Sequence, residues 1–171
     1  MKFALSLIAL ALAAACGGSG GSTDPSLAEK SGPTVLELSV QAVEVAQDRS
    51  FEGMLNDVRA VNGAGPVSPN SLLLQAAQGH ADDMFAQNYF SHTSKDGREL
   101  RDRVNETGYR WQRIGENIGR GQQTEEEILL GWVNSSGHQR NNVDPRFEEF
   151  GLAKAGSGGQ KYWVLVLADP L

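Results

Sequence analysis

Apolar and polar residues along this chain fall into stretches of different period, and from residue 50 onward the period is helical. Phe51, Met54, Leu55, Val58 and Val61 recur at three and four residues, predicting an amphipathic helix that Gly63-Ala64-Gly65-Pro66 ends. Ser68-Pro69 reads as an N-cap followed by proline in the first turn of a second helix. That helix places Leu73, Ala76, Ala77, His80 and Met84 on one face, and a loop from Asn88 to Gly97 follows it. A shorter helix is expected from Arg98 to Thr107, stopped by Gly108. Thr124-Glu125-Glu126-Glu127 matches a capping box, with acidic side chains favoured in the first turn by the helix dipole. It opens a helix whose buried stripe is Ile128, Leu129, Trp132 and Val133. Residues 148–155 and 160–168 read as two strands joined by the loop Gly156-Ser157-Gly158-Gly159. Tyr162 to Ala168 is apolar at almost every position, so both faces of that strand are expected to be covered. The fold class that follows is α+β, a central antiparallel sheet between helical layers, with no internal repeat.

The first 49 residues follow other rules. Met1-Lys2, the apolar run Phe3–Leu12 and the small residues Ala13-Ala14-Ala15 form an export signal. The run falls well short of the roughly 20 apolar residues that cross a bilayer as a helix. Cys16 stands directly behind it, and the stretch resembles a bacterial lipoprotein signal, which implies lipidation of Cys16 as the first mature residue. The usual leucine three residues before the cysteine is replaced by Ala13, with Leu12 one step further back, and ordinary cleavage after an Ala-x-Ala pattern fits the same residues. Gly17 to Pro33 is rich in Gly, Ser, Thr and Pro and reads as a flexible tether. Thr34 to Val45 alternates in part, as a short strand or an extended arm does. The expected organisation is a signal over 1–15, a lipidated cysteine with tether and arm over 16–47, and one domain over 48–171.

Composition narrows the partners. Removing residues 1–15 from the 171 leaves about 156, enough for a single domain with a real core. Hydrophobic residues at 40% and charged residues at 21% are ordinary for a globular protein, so neither disorder nor a membrane bundle is indicated. A formal net charge of −6, with no dense Lys/Arg run, argues against nucleic acid as a partner. Cys16 is the only cysteine, so the folded part must be held by packing, without disulfides. Two Asn-x-Ser/Thr sequons, at Asn105 and Asn134, are read as chance.

Four pieces then occur in a fixed order. Asn56-x-x-Arg59 lies on the first helix, and His80-Ala81-Asp82-Asp83-Met84 runs into Asn88-Tyr89-Phe90-Ser91-His92. Gly115-Glu116-Asn117-Ile118 comes next, and Trp132-Val133-Asn134-Ser135-Ser136-Gly137-His138-Gln139-Arg140-Asn141-Asn142-Val143 last, followed by Phe147 and Gly151-Leu152. Over residues 50 to 169 this order resembles the CAP superfamily of cysteine-rich secretory proteins, venom antigens and pathogenesis-related proteins, which has disulfide-free bacterial members. The resemblance implies a three-layer α-β-α sandwich and a cleft furnished with two His and two Glu. His92 matches the first histidine, Glu116 the first glutamate and His138 the second histidine, while the second glutamate is replaced by Ser135.

Two imidazoles and a carboxylate suit tetrahedral Zn²⁺ with an open position for water, so the resemblance makes zinc at His92 and His138 an expectation, with Glu116 beside them. The alternative is a cleft whose polar groups bond to one another and to backbone. His80 falls at helical spacing among apolar residues and is expected as a bonded core or cleft-edge histidine. Ser135 and Ser136 lie near His138, yet no nucleophile elbow surrounds them, which argues against a serine hydrolase. Asn117 and Trp132 are read as structural, and Tyr89, Phe90, Tyr109 and Trp111 either line an apolar groove or form core beneath a long loop. The function expected is that of an exported, lipid-anchored envelope domain binding a lipid, glycan, peptide or protein through the cleft, with a metal-dependent hydrolase, a peptidase among them, as the alternative. A vestigial cleft on a structural protein is the third reading. Gly17 and Gly18 carry no acidic retention signal, so in a two-membrane cell the anchor points to the outer membrane, facing the periplasm or the exterior.

Overall fold

Nine consecutive residues, Tyr162–Pro170, form the strand around which everything else is arranged, and the first seven of them are buried. The computed structural model describes residues 50–171. The signal, Cys16, the tether and the alternating stretch Thr34–Val45 lie outside the described residues.

In chain order the elements are α1 (Phe51–Val61), β1 (Ser68–Pro69), α2 (Ser71–Ala86), α3 (Leu100–Glu106), β2 (Trp111–Arg120), α4 (Glu125–Val133), α5 (Ser136–Asn142), β3 (Glu149–Ala155) and β4 (Tyr162–Pro170). A short 3₁₀ turn at Gly158–Gln160 sits inside the β3–β4 connection. The sheet order is β1-β3-β4-β2. β4 pairs antiparallel with β3 on one side and β2 on the other, and the two-residue β1 runs parallel to β3.

Because side chains alternate along a strand, β4 feeds two cores. Tyr162, Val164, Val166 and Ala168 join Leu73, Ala77, Ala81 and Met84 of α2 and Val104 of α3. Trp163, Leu165 and Leu167 join Phe51 and Leu55 of α1 and Ile128, Leu129 and Trp132 of α4. The three-layer α-β-α sandwich follows directly: α2 and α3 cover one face, α1 and α4 the other. Each fully buried large apolar side chain contributes about 1.5–3 kcal/mol, so two filled faces hold the domain without a disulfide.

Most of the expected elements are present within a few residues, with three differences. Ser68 is not an N-cap. The proline after it restricts Ser68 to extended backbone, and the pair becomes β1. Asn70 caps α2 instead, its side-chain oxygen accepting from the Leu72 and Leu73 amides at 2.9 and 3.3 Å. Residues 111–120 form a strand, and residues 136–142 a separate helix, although neither has an apolar period. The Thr124 cap is as expected: its hydroxyl accepts from the Glu127 amide at 3.1 Å, while Glu127 reaches back to the Gln123 amide at 2.6 Å.

Candidate functional site: a histidine, a glutamate and a hidden arginine

β2 is an edge strand, and its alternation decides which way each residue of Gly115-Glu116-Asn117-Ile118 points. Ile118 belongs to the core under α2 and α3, so Glu116, two residues before it, faces the same side. Asn117 faces the other side and is wholly buried. Its amide donates to the His138 carbonyl at 3.1 Å and to Asn142 Oδ1 at 2.9 Å, while Asn141 donates back to its oxygen at 2.9 Å. Asn117 therefore ties α5, and with it His138, to the sheet. Trp132 is core, its indole N–H donating to the Ile118 carbonyl at 3.1 Å.

Glu116 is buried, its side chain only 3% exposed, and both of its oxygens are engaged. Oε1 lies 2.7 Å from His92 Nδ1, and Oε2 accepts from Arg103 Nη2 at 2.7 Å. Arg103, on α3, is as buried as the carboxylate it pairs with. Burial by itself raises the Glu116 pKa, but the His92 hydrogen bond and the Arg103 charge outweigh it and hold the carboxyl below its ordinary value. His92 is different: its side chain is 58% exposed, with Nδ1 fixed on Glu116 and the rest of the ring turned to solvent. A shallow hollow of 360 Å³ opens beside it, lined by His92, Thr93, Glu99, Leu100, Ile114 and Glu116.

His138 lies near His92 without bonding to the pair. It is half-buried on α5, and burial, then the nearby His92, pushes its pKa below the ordinary imidazole value. Among the described residues its ring makes no hydrogen bond to His92 or Glu116. Ser135 is the residue before α5, without a side-chain cap bond, and is not joined to His138 as a nucleophile to its base. The structure thus brings His92 and Glu116 into contact, with His138 close enough to His92 to feel its charge.

The donor set does not fit a three-ligand zinc centre. Glu116, expected beside the imidazoles as a ligand, has one oxygen on Arg103 and the other on His92 Nδ1. Among the described residues no group of three His, Cys, Asp or Glu is placed to hold a metal ion. A carboxylate bonded to Nδ1 orients the imidazole and acts as its support.

Sequence reasoning missed Arg103. The signal was its place beside Val104 on the apolar stripe of a short helix, where an arginine needs a buried partner. Of the four aromatics, Tyr109 is core, Tyr89 and Trp111 pack partly against it, and Phe90 is 48% exposed.

Residues 53–167 match the cysteine-rich secretory protein family, CAP. The chain belongs to the CAP family. Among CAP relatives, the YkwD protein of Bacillus subtilis strain 168 is 31% identical over 134 residues, which are 78% of this chain and 51% of that protein. An extracellular SCP-domain protein of Bacillus anthracis has the same fold, with a TM-score of 0.63 at 26% identity, covering 81% of this chain and 45% of the other. An outer surface protein of Borrelia burgdorferi shares the CAP fold at a TM-score of 0.65 and 13% identity, covering 71% and 90%. The chain spans about half the length of the first two. No helix among the described residues is long and apolar enough to cross a membrane.

Proposed function

We propose that this chain is an exported CAP-domain protein of the bacterial envelope, anchored by lipid at Cys16, that binds a ligand at the His92 rim without turning it over. The observation that carries the binding reading is the saturation of Glu116. A general base needs a carboxylate or imidazole free to take a proton from water or substrate. Here the carboxylate is held by a buried guanidinium and an imidazole as a fixed support, and among the described residues no serine, threonine or cysteine side chain is hydrogen-bonded to the free edge of His92 for it to activate. What faces the hollow is one oriented imidazole with polar and apolar neighbours, an arrangement suited to accepting or donating a hydrogen bond. Zinc-dependent hydrolysis is the weaker reading, since it lacks a third ligand within reach. Export is supported by the N-terminal signal and by the extracellular B. anthracis relative.

The test of binding is incubation of purified protein with peptide, glycan and lipid libraries, read both for bound species and for products. Retention without products, reduced in His92→Ala, is expected. Cleavage that disappears in His92→Ala overturns the reading, as does zinc-dependent turnover lost in His138→Ala. For the anchor, Cys16→Ser is expected to move the protein from the membrane fraction to the soluble one; a variant that stays with the membrane sinks lipidation at Cys16.

A further inference from the structure

His80 sits on the inner face of α2 with no exposed surface. An imidazole buried that completely needs partners for both nitrogens. Nε2 lies 2.9 Å from the Ser91 carbonyl oxygen, and a carbonyl can only accept, so Nε2 carries the proton. Nδ1 of the neutral ring is then the acceptor, and the Ser94 hydroxyl donates to it at 3.5 Å. Ser91 and Ser94 bracket His92. One buried ring therefore grips the loop on both sides of the exposed imidazole.

The remaining fastenings of this loop converge on the same atoms. Arg103 Nη1 donates to Ser94 Oγ at 3.3 Å and to the Arg98 carbonyl at 3.1 Å. The Ser94 amide donates to Arg98 O and the Gly97 amide to Ser94 O, both at 2.9 Å. Gly97, at φ 89°, permits that tight closure. Through its other nitrogen Arg103 holds Glu116, and Glu116 holds His92. The contacts run unbroken from α2 to solvent: His80, Ser94, Arg103, Glu116, His92.

We infer that His80 is a positioning residue for the His92 site, its neutral ring fixing the 91–94 turn so that His92 Nδ1 meets Glu116 and the far edge of the ring faces the hollow. The inference deepens the binding reading and rests on it only for what His92 then meets. The groups facing His80 agree with a neutral ring. Burial, the largest influence, pushes its pKa down; Glu116 on β2 and Asp83 on α2 oppose this, and Arg103 on α3 adds to it. Tyr89, beyond the end of α2, meets the imidazole edge-on at 6.3 Å and gives its hydroxyl to Asp83.

The experiment uses the full chain and no ligand, so it succeeds or fails independently of the library assay. Amide hydrogen exchange and the His92 ring resonances are recorded for wild type, His80→Phe and His80→Gln. In His80→Phe, which keeps bulk and loses both bonds, the Ser94 and Gly97 amides should exchange at least roughly tenfold faster, and the His92 Nδ1–H signal should broaden. Val164 and Val166 amides in β4 should keep their protection. His80→Gln, able to donate to Ser91 O but offering no ring acceptor to Ser94, should fall between. Wild-type exchange at Ser94 and Gly97 with an unchanged His92 ring overturns the inference. Should the phenylalanine variant fail to fold, the glutamine variant decides: faster exchange confined to residues 91–97 supports it, and none, or a uniform increase reaching β4, refutes it.

Discussion

Four carbonyl oxygens converge on one side chain at the end of α1. Arg59, with no exposed surface, donates to Gly65, Asn142, Asp144 and Phe147 at 2.6, 2.8, 3.1 and 2.8 Å. It stitches the first helix to the segment behind α5, the helix that carries His138. A buried acceptor stripped of its donor costs about 1–3 kcal/mol, so Arg59→Met, which keeps length and loses every donor, should cost about 3 kcal/mol or more in urea unfolding. Arg59→Lys should recover only part, because a compact ammonium cannot serve four oxygens spread around a planar fork. Arg103 differs in having a charged partner. Glu116→Ala leaves its guanidinium buried and uncompensated, and a loss of about 3–5 kcal/mol is expected by the same measurement. A variant within about 0.5 kcal/mol of wild type would mean the pair is hydrated in solution.

Between elements, two glycines test how closely layers approach. A Cβ on Gly151 of β3 would lie 2.2 Å from Leu74 N and 2.3 Å from Leu73 C, both backbone atoms of α2. One on Gly119 of β2 would meet Ile128 Cδ1 at 2.2 Å, the far end of a flexible side chain. Gly151→Ala should therefore force α2 off β3 and cost about 2–3 kcal/mol, whereas Gly119→Ala should cost about 1 kcal/mol as Ile128 changes rotamer. Equal thermal shifts for the two would contradict the contrast. The same elements explain what was legible. α1, α2, α4 and β4 have strong apolar periods because they face the cores, so they could be read from sequence. β2 could not, since its residues from Trp111 to Asn117 include Gln112, Arg113, Glu116 and Asn117, polar because the strand carries the site and borders solvent. α5 reads Ser-Gly-His-Gln-Arg-Asn-Asn and is held by Asn117 and Arg59, with Asn142 its one fully buried residue, so no apolar stripe announces it. His92 and Glu116 were found through motif order, but their contact depends on Arg103 and His80, which only the folded chain brings beneath the loop.

Across the whole molecule, stability should depend on pH in two stages, because its displaced groups fall into two classes. His80 and His138 have pKa values lowered in the folded state, chiefly by burial. Unfolding frees them to take protons near the ordinary imidazole value of about 6.5. Their contribution is therefore complete above that pH and is lost as the pH falls through their lower folded values. Glu116 is lowered too: burial opposes ionisation, but His92 and Arg103 prevail. Asp144 is lowered mainly by its hydrogen bond from Arg146. These carboxylates stabilise the fold above about pH 4.5, and the benefit disappears as they protonate on further acidification. Urea midpoints measured from pH 8 to pH 3 should be level above 7, decline gently from about 6.5, and drop more steeply below about 4.5. His80→Gln should flatten the first decline and leave most of the second; Glu116→Gln should flatten the second and deepen the first, because it removes the charge that opposes the lowering of the His80 pKa. The separation follows from the architecture: one buried imidazole lies under the loop from α2, and one buried carboxylate projects from β2, with Arg103 between them. A midpoint that rises as the pH drops from 7 to 5.5 in the wild type but not in His80→Gln would mean that His80 takes up a proton in the folded protein, and the neutral ring that the Ser91 and Ser94 contacts require would be excluded.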